Sequence, residues 1–493
     1  MSPVDGWEMV IGLEVHCELA TKTKLFCSCP NQFGSEPNTN VCPVCLGLPG
    51  SLPVISEAAV ELAMRIGTAL HCTIQPSVFH RKNYFYPDMP KDYQVSQYDR
   101  PINIDGYLEL PDGTRIGIER AHMEEDTGKS THVGGSGRIQ GADYSLVDYN
   151  RSGVPLVEIV SRPEMTSADQ AKAYAAELRG ILVATGASDG KMEEGSMRVD
   201  ANVSVRRPGE ALGTRCEVKN LNSLRSLQRA IDYEASRQVD VLTGGGRIVQ
   251  ETRHWSEADG RTSSMRSKEE ANDYRYFQEP DLVPLDPSAD WIADVAASLP
   301  PMPSERRRAL SAATDATLAA NSDAVLTVVD LGLDRLVLAA VYSKTHERVL
   351  NASGAQRALN HAANDLAGVD PQLVARIDGP WLAALVRSEE EGSLTATQAK
   401  VVIADAFERL RSRGGQLSSA KEIAAERGFE AMDAGSLASL VDQLVAASPA
   451  EFERLKAGDV KVSAFFVGQA MNQTGGKADG KALTALLRAK AGL

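Results

Sequence analysis

The sequence predicts an α+β N-terminal domain followed by an all-α helical domain and a small helical tail. From residue 7 to about 296, short alternating runs are broken by Gly, Asn, Asp and Pro, which is typical of strands. After the proline-rich stretch at 298–308, Ala, Leu, Glu and Arg dominate with helical spacing. We therefore expect domains at residues 1–296, 297–425 and 426–493.

Size and composition agree with several folded domains. A chain of 493 residues is too long for one ordinary core, and 43% hydrophobic with 24% charged residues is typical of a folded soluble protein. The start MSPVDGWEMV has no signal-peptide pattern, and no stretch is apolar for the length that a membrane crossing requires. We expect a cytoplasmic protein that does not bind membranes.

Net charge limits how the chain can contact nucleic acid. The formal charge of −14 repels a phosphate backbone unless positive charge is concentrated locally. The last 43 residues have seven basic against four acidic side chains, which also fits an ordinary solvated helix face. Any nucleic-acid contact is therefore expected to be local.

The first predicted strand has one apolar and one polar side. In WEMVIGLEVHCEL, residues 7–19, apolar residues alternate with Glu14, His16 and Glu18. MRVDANVSV, residues 197–205, places Arg198, Asp200 and Asn202 on its polar side in the same way. Several strands of one sheet are therefore expected to present acids and bases on a common surface.

The four cysteines Cys27, Cys29, Cys42 and Cys45 form a Cys-x-Cys, Cys-x-x-Cys pair in a short polar loop. Four thiolates at this spacing match a tetrahedral structural zinc site, in which no position is left for substrate. An odd total of seven cysteines in a reducing cytosol argues against a disulfide framework. Four unligated thiols, two of them buried, are the alternative.

Two helices interrupt the strands. One is capped near Thr166 or Ser167 and ends at Gly186, and the other follows Asn222 and Ser223 and ends at the glycines 244–246.

Carboxylates recur beside basic residues in this half. HMEEDTGKSTH, residues 122–132, supplies Glu124, Glu125 and Asp126, and Glu158 interrupts the apolar run VPLVEIV, where a charge needs a partner. Such a surface ordinarily faces water. Acids and a histidine beside Arg and Lys instead suit a divalent ion that holds polyphosphate.

The stretch at 79–99, FHRKNYFYPDMPKDYQVSQYD, places Arg81, Lys82 and Lys91 among aromatic residues. It is typical of a packed loop that brings cations toward a site, or of a structural Ω-loop.

Long motifs identify a family. IGLEVH, NTNVCPVCLGLPG, YNRSGVPLVEI, KNLNS and DYRYFQEPDL, with the stretches above, resemble the B subunit of aspartyl/glutamyl-tRNA amidotransferases. The resemblance covers the chain from end to end, including FFVGQAMNQTGGKADGKAL near the C-terminus. It implies a cradle-like N-terminal domain with an antiparallel sheet related to glutamine synthetase, and a tail that approaches tRNA.

The resemblance also implies a carbon–nitrogen ligase reaction with glutamine as amido donor. ATP would phosphorylate the side-chain carboxylate of glutamate or aspartate mischarged on tRNA(Gln) or tRNA(Asn), and ammonia would then displace phosphate. By family pattern Glu14, His16, Glu125 and Glu158 would hold Mg²⁺. Lys82 and Arg198 are candidates for phosphate or carboxylate contact, and Lys91 for the mouth of the ammonia path.

The source of ammonia is expected to be a partner. The Gly-rich run GGSGR, residues 134–138, lacks the second Ser and the Lys that amidases of such complexes use. The partners that the resemblance implies are a glutaminase (amidase), which is the A subunit of such complexes, together with their small C subunit. A non-enzymatic zinc-containing tRNA-binding adaptor and a stand-alone ligase that uses free ammonia are the alternatives.

Overall fold

In a computed structural model the protein forms two compact units, Met1–Pro303 and Ser304–Leu493. The structure describes residues 4, 6–134, 141–267, 274–412, 417–429, 434–474, 478 and 480–493. Except for Gly134, the run GGSGR lies outside the described residues. The division falls inside the proline-rich stretch, and the predicted boundaries at 296 and 425 stay predictions.

The described part of the first unit contains a mixed sheet and a separate two-stranded sheet. The strands are β1 (Glu8–Glu18), β2 (Thr73–Ile74), β3 (His80–Asn83), β4 (Tyr93–Ser96), β5 (Asn103–Glu109), β6 (Arg115–Glu125), β7 (Lys129–Val133), β8 (Tyr144–Asp148), β9 (Pro155–Ser161), β10 (Met197–Arg206), β11 (Cys216–Leu221), β12 (Glu251–Ser256), β13 (Arg261–Ser267) and β14 (Phe277–Gln278). The large sheet has the order β13-β12-β11-β10-β1-β9-β6-β4-β3-β14, with β5 beside β6 and β2 beside β5, while β7 pairs with β8.

The sheet differs from the predicted antiparallel sheet at one pair of strands. β11 and β12 run parallel, because the chain between them contains the 20-residue helix α3 (Leu224–Thr243), which returns it to the same end of the sheet. The fold of this unit is therefore α+β with a mixed sheet.

Three further helices belong to this unit: α1 (Glu57–Ala69), α2 (Ala168–Ala184) and α4 (Ala289–Ala297). The two helices predicted from the sequence are confirmed. Ser167 caps α2 by accepting a hydrogen bond from the backbone N–H of Gln170, and Ser223 caps α3 in the same way through Ser226.

The alternation predicted for β1 is confirmed and separates core from site. Ile11, Leu13 and Val15 are fully buried and share one hydrophobic core with apolar residues of α1, α2 and α3. The alternate residues Glu14 and His16 are only partly buried. The apolar side of the sheet therefore forms the core, and its other side presents polar groups.

The second unit is helical in its described residues. Its helices are α5 (Pro303–Ala313), α6 (Asp323–Asp330), α7 (Asp334–Val341), α8 (Ala352–His361), α9 (Pro371–Val374), α10 (Gly379–Glu390), α11 (Ala396–Ser412), α12 (Ala420–Glu426), α13 (Ala434–Ala447), α14 (Pro449–Lys456), α15 (Ser463–Thr474) and α16 (Gly480–Ala491). Their buried side chains form two hydrophobic clusters, one between Leu310 and Ala424 and one between Leu437 and Leu487. Among the described helices, none combines the length and apolar character needed to cross a membrane.

Candidate active site

The polar side of the sheet brings together residues from β6, β9 and β1. Glu158 on β9 lies opposite His16 on β1 and opposite His122 on β6. Residues opposite each other on neighbouring strands project to the same side, and residues two apart on one strand do so as well. Glu124, two residues beyond His122, therefore joins His16 and Glu158.

These side chains form a compact cluster. Nε2 of His16 lies 3.6 Å from Oε1 of Glu124 and 3.9 Å from Oε2 of Glu158. Nε2 of His122 lies 3.3 Å from the same oxygen of Glu158. His16, Glu124 and Glu158 offer three ligand atoms within 4.8 Å of one another. One imidazole nitrogen and two carboxylates suit a hard divalent cation such as Mg²⁺.

The electrostatics of the cluster also fit a cation. Burial raises the pKa of Glu124, and the neighbouring charge of Glu158 raises it further. Burial and the charge of Glu158 also raise the pKa of Glu14. Burial opposes ionisation of Glu158 as well, but the His122 and His16 imidazoles hold the pKa of that carboxyl below its usual range. Because buried carboxylates repel one another, a divalent cation between them would stabilise their ionised forms.

The four loop cysteines form a second cluster. Cys27, Cys29, Cys42 and Cys45 place their sulfur atoms within 4.8 Å of one another. The backbone N–H of Cys42 donates to the sulfur of Cys45 at 3.2 Å. A hydrogen bond from the Cys27 thiol lowers the pKa of Cys45 to about 4. Four convergent sulfur ligands fit a closed, structural zinc site.

The cysteine loop is attached to the segment that leads into β9. The backbone N–H of Leu25 donates to the carbonyl of Gly153 at 2.9 Å, and Nζ of Lys24 donates to the carbonyl of Tyr149 at 3.2 Å. Gly153 has a φ of +85°, and a Cβ there would lie 3.6 Å from Cβ of Cys45. The cysteine cluster thus lies against the start of the strand that positions Glu158.

Comparison with known proteins identifies the family. A family model described as the GatB/GatE catalytic domain matches residues 9–293, and one described as the GatB domain matches residues 357–490. The chain belongs to the GatB/GatE family. The resemblance recognised from the motifs is confirmed.

Curated relatives of this GatB/GatE chain match it over nearly its whole length, and each is named as the B subunit of an aspartyl/glutamyl-tRNA(Asn/Gln) amidotransferase. The Salinispora tropica protein is 48% identical over 502 aligned residues, which cover 99% of this chain and 97% of the relative. The Moorella thermoacetica protein is 46% identical over 497 residues, covering 98% of this chain and 99% of the relative.

Three of the four predicted Mg²⁺ ligands of the GatB/GatE chain lie on the polar side of the sheet. His16 and Glu158 belong to the cluster. Glu14 lies two residues before His16 on β1, where its Oε1 accepts a hydrogen bond from Nδ2 of Asn202 at 2.8 Å. It flanks the cluster and is not one of the three convergent ligands.

The fourth predicted ligand, Glu125, lies away from this cluster. Its carboxylate points to the opposite side of β6 from Glu124, where it pairs with Nζ of Lys91 and accepts a hydrogen bond from the backbone N–H of Val95 at 2.9 Å. The physical reason is strand alternation, which sends adjacent residues to opposite sides. Glu124, and not Glu125, therefore lies with His16 and Glu158.

Lys91 and Glu125 line a cavity beside the cysteine cluster. Phe26, Cys45 and Gly153 line the same cavity. Both charged side chains are almost fully buried, at 8% and 2% exposure. The cavity therefore contains one buried ion pair next to the sulfur cluster.

The remaining predicted cations lie near the carboxylates. Arg198, opposite His16 in the strand register, donates from Nη2 to Oδ2 of Asp126 at 2.7 Å. Burial and the charge of Asp126 raise the pKa of Glu18 to about 7. Nζ of Lys82 lies 4.9 Å from the centroid of the Tyr274 ring.

His122 is the residue that sequence reasoning missed. It is 1% exposed, on β6 beside Glu158. The alternation of His122, Met123 and Glu124 is the signal that could have found it, since it places the two polar residues on one side of a strand.

Proposed function

We propose that this chain is the subunit of an ATP-dependent amidotransferase that phosphorylates the side-chain carboxylate of Glu-tRNA(Gln), Asp-tRNA(Asn) or both. Ammonia derived from glutamine then replaces the phosphate and leaves the amide. The cluster of His16, Glu124 and Glu158 is the observation that carries this proposal, because phosphoryl transfer needs positive charge held by oxygen and nitrogen ligands. The relatives' name supports the same substrates.

In this proposal His16, Glu124 and Glu158 hold Mg²⁺, with Glu14 beside them. When bound, the ion supplies positive charge that stabilises the transferring phosphoryl group and screens it from the carboxylates. Hydrogen bonding fixes the orientation of Glu14, because Asn202 donates to one of its oxygens at 2.8 Å. The chain's own residues thus keep the acidic groups in place before substrate arrives.

Lys82 and Arg198 are proposed to contact the phosphates or the substrate carboxylate. Arg198 is partly exposed, with 38% of its side chain accessible, although Asp126 accepts one of its hydrogen bonds. The charge of Lys82 favours ionisation of the buried Glu124 carboxyl. Cations on two sides of the cluster would draw the polyphosphate toward it.

Lys91 is proposed to lie on the ammonia path. The path would enter through the cavity that Lys91 and Glu125 line. We propose that the ammonia comes from a glutaminase, the A subunit of a hetero-oligomer in which the small C subunit is a further partner.

We further propose that zinc on the four cysteines is a structural brace. The cysteine loop contacts the segment before β9 through Leu25 and Lys24, so metal binding would hold that segment in place. We propose that the first unit is a cradle related to glutamine synthetase. We also propose that the tail from residue 426 approaches tRNA and that the complex works in the cytoplasm.

The cluster also argues against a non-enzymatic adaptor. A protein that only binds tRNA gains nothing from buried carboxylates that repel phosphate. Glu124 is 5% exposed and lies near Glu158. Two buried carboxylates side by side lower the stability of the folded protein unless a bound cation neutralises their charge.

The test is amide formation by the complex with its A and C subunits, given ATP, glutamine and glutamyl-tRNA(Gln). Glu124→Gln should lower the rate by at least about 10²-fold, by analogy with other electrostatic stabilisers, while tRNA binding persists. Glu193→Gln, a change at an exposed glutamate, is the matched control and should keep the wild-type rate. Absence of amide formation by the wild-type complex with both glutamyl-tRNA(Gln) and aspartyl-tRNA(Asn) would overturn the proposal, and unchanged turnover of Glu124→Gln would favour the adaptor.

A further inference from the structure

A series of five tyrosine rings borders the carboxylate cluster. Tyr84 and Tyr86 stack with ring centroids 4.6 Å apart, and Tyr98 and Tyr276 stack at 5.4 Å. Tyr274 continues the second pair, with its ring edge-on to Tyr276 at 6.0 Å. We call these five residues the tyrosine series.

The two pairs are neighbours through Tyr274. Burial raises the pKa of Tyr84 to about 12, and the nearby groups of Asp88, Tyr86 and Tyr274 raise it in turn. The backbone N–H of Asn83, the residue before Tyr84, donates to the carbonyl of Tyr274 at 3.0 Å. The chain that carries the first pair therefore lies beside Tyr274, whose ring contacts Tyr276.

One end of the tyrosine series reaches the carboxylates. The ring of Tyr98 lies edge-on to His122, with centroids 6.2 Å apart. Burial raises the pKa of Tyr276, and the charges of Glu124 and Glu158 are among the neighbours that raise it further. A ligand on Tyr98 and Tyr276 would therefore end next to the cluster.

Cations lie over these rings. The guanidinium of Arg120 is 4.9 Å from the Tyr98 ring centroid, and Nζ of Lys82 is 4.9 Å from that of Tyr274. Near the other end, the guanidinium of Arg275 is 5.7 Å from the ring of Phe85. Two rings of the series therefore have a cation over them, and a third cation lies over Phe85, the residue between Tyr84 and Tyr86.

The series is accessible to a ligand. Tyr98 is 47% exposed and Tyr86 is 48% exposed. Rings that served only the core would be buried, as Tyr174 is at 0%. Proteins bind unpaired nucleotides on surfaces that combine exposed aromatic rings with cations. The bases stack on the rings, and the phosphates between nucleotides are attracted to the cations.

We propose that the tyrosine series, with Lys82, Arg120 and Arg275, binds the unpaired bases at the 3′ end of the aminoacyl-tRNA. This inference rests on the proposed function. The amino acid is esterified to the terminal ribose, so the last bases must lie close to the cluster when the side-chain carboxylate reaches it. A single purine such as the adenine of ATP needs one or two rings, whereas five rings with three cations match a run of nucleotides.

The test uses the assembled complex and measures four quantities: the Kd for uncharged tRNA, the KM for aminoacyl-tRNA, the KM for ATP and kcat. Tyr98→Leu should raise the Kd and the KM for tRNA about tenfold, in the range expected for loss of one base stack, with the KM for ATP unchanged. Tyr98→Phe should recover most of the tRNA affinity, because stacking needs the ring and not the hydroxyl. Tyr144→Leu, at a tyrosine 56% exposed on β8, is the matched control and should leave all four values unchanged.

Tyr86→Leu, at the far end of the series, gives a second measurement should Tyr98→Leu unfold. Unchanged tRNA affinity in the folded variants would overturn the inference, as would a rise in the KM for ATP alone, which would assign the rings to adenine. The Kd for uncharged tRNA, measured by filter binding, does not depend on whether the complex forms amide. A wild-type complex that binds tRNA through Tyr98 without forming amide would therefore contradict the proposed function and leave this inference standing.

Discussion

Two adjacent glutamates on β6 have separate environments. Glu124 points to the polar side of the sheet with His16 and Glu158, and Glu125 points to the cavity with Lys91. A substitution of Glu124 and a substitution of Glu125 should therefore affect different sites. β6 therefore separates the candidate metal site from the cavity proposed for ammonia.

The buried ion pair of Lys91 and Glu125 leads to a stability prediction. Removing one partner of a buried pair leaves an uncompensated charge, which typically costs about 3–5 kcal/mol. Lys91→Met should therefore lower the free energy of unfolding of the first unit by about that amount, measured by urea denaturation. The double variant Lys91→Met, Glu125→Gln should recover part of the loss, because both charges are gone.

The exposed Lys22 supplies the control for this experiment. Lys22→Met should change the free energy of unfolding by less than about 0.5 kcal/mol. Equal stabilities for Lys91→Met and Lys22→Met would contradict the buried ion pair.

His361 in the helical unit leads to a pH prediction. Its Nδ1 lies 2.7 Å from Asp365 and its Nε2 lies 2.8 Å from Glu389, while Lys400 and Arg357 lie beside those carboxylates. Burial by itself lowers the pKa of His361, but the two carboxylates outweigh it and raise the pKa above its usual value. The imidazolium therefore stabilises the folded unit.

The sign of the effect follows from the raised pKa. The stabilisation is fully present below the unfolded-state pKa of about 6.5 and is lost as the pH rises through the folded-state pKa. The free energy of unfolding of wild type minus that of His361→Gln should therefore fall as the pH rises above about 6.5, measured by urea denaturation at a series of pH values. A difference that is constant or rises with pH would contradict the charged His361.

At the scale of elements, β1 contributes to core and site at once. Its buried side packs in the hydrophobic core, and its other side presents Glu14 and His16 between β9 and β10. The cysteine loop follows soon after β1 and contacts the segment before β9. Two neighbouring strands of the site are therefore held by one loop.

We predict that the isolated protein contains one zinc ion per chain on the four cysteines. Cys42→Ser should lower the zinc content, measured by atomic emission, and increase proteolytic cleavage of the loop, because the metal replaces a hydrophobic core there. Cys72, outside the cluster, is the control, and Cys72→Ser should keep the zinc. Full zinc occupancy in Cys42→Ser would contradict the assignment.

At the scale of the whole molecule, the described core clusters follow the two units. One cluster contains buried residues between Val4 and Val295, and the other two contain those between Leu310 and Leu487. Each of these described clusters draws its buried side chains from a single unit. Each unit therefore has the hydrophobic core that an independent fold needs.

A fragment of residues 304–493 should accordingly fold by itself. We expect a helical circular dichroism spectrum and a cooperative urea transition, because its apolar residues are buried within the unit. A Leu359→Asp variant of the fragment, which places a charge at a fully buried position, should lose the transition. A fragment with no cooperative transition would show that the unit depends on the rest of the chain.

Local features of the fold could be predicted from the sequence. Alternation in residues 7–19 predicted which side of β1 is buried, caps and glycines predicted α2 and α3, and the motifs identified the family. These features depend on neighbours within a few residues, so periodicity and spacing are enough to find them. The partner that the lone charge of Glu158 required was also expected, and it is His122 together with His16.

Which side chains meet in the site could not be predicted without the paired strands. His16, Glu124 and Glu158 lie on three strands that are far apart in the chain, and their contact depends on the register of β6, β9 and β1. Alternation separates Glu124 from Glu125, but it does not tell which of them faces β1 until the strands are paired. The parallel pair β11 and β12 was missed for the same reason, since strand direction follows from the path of the long connection between them and not from the strands' own residues.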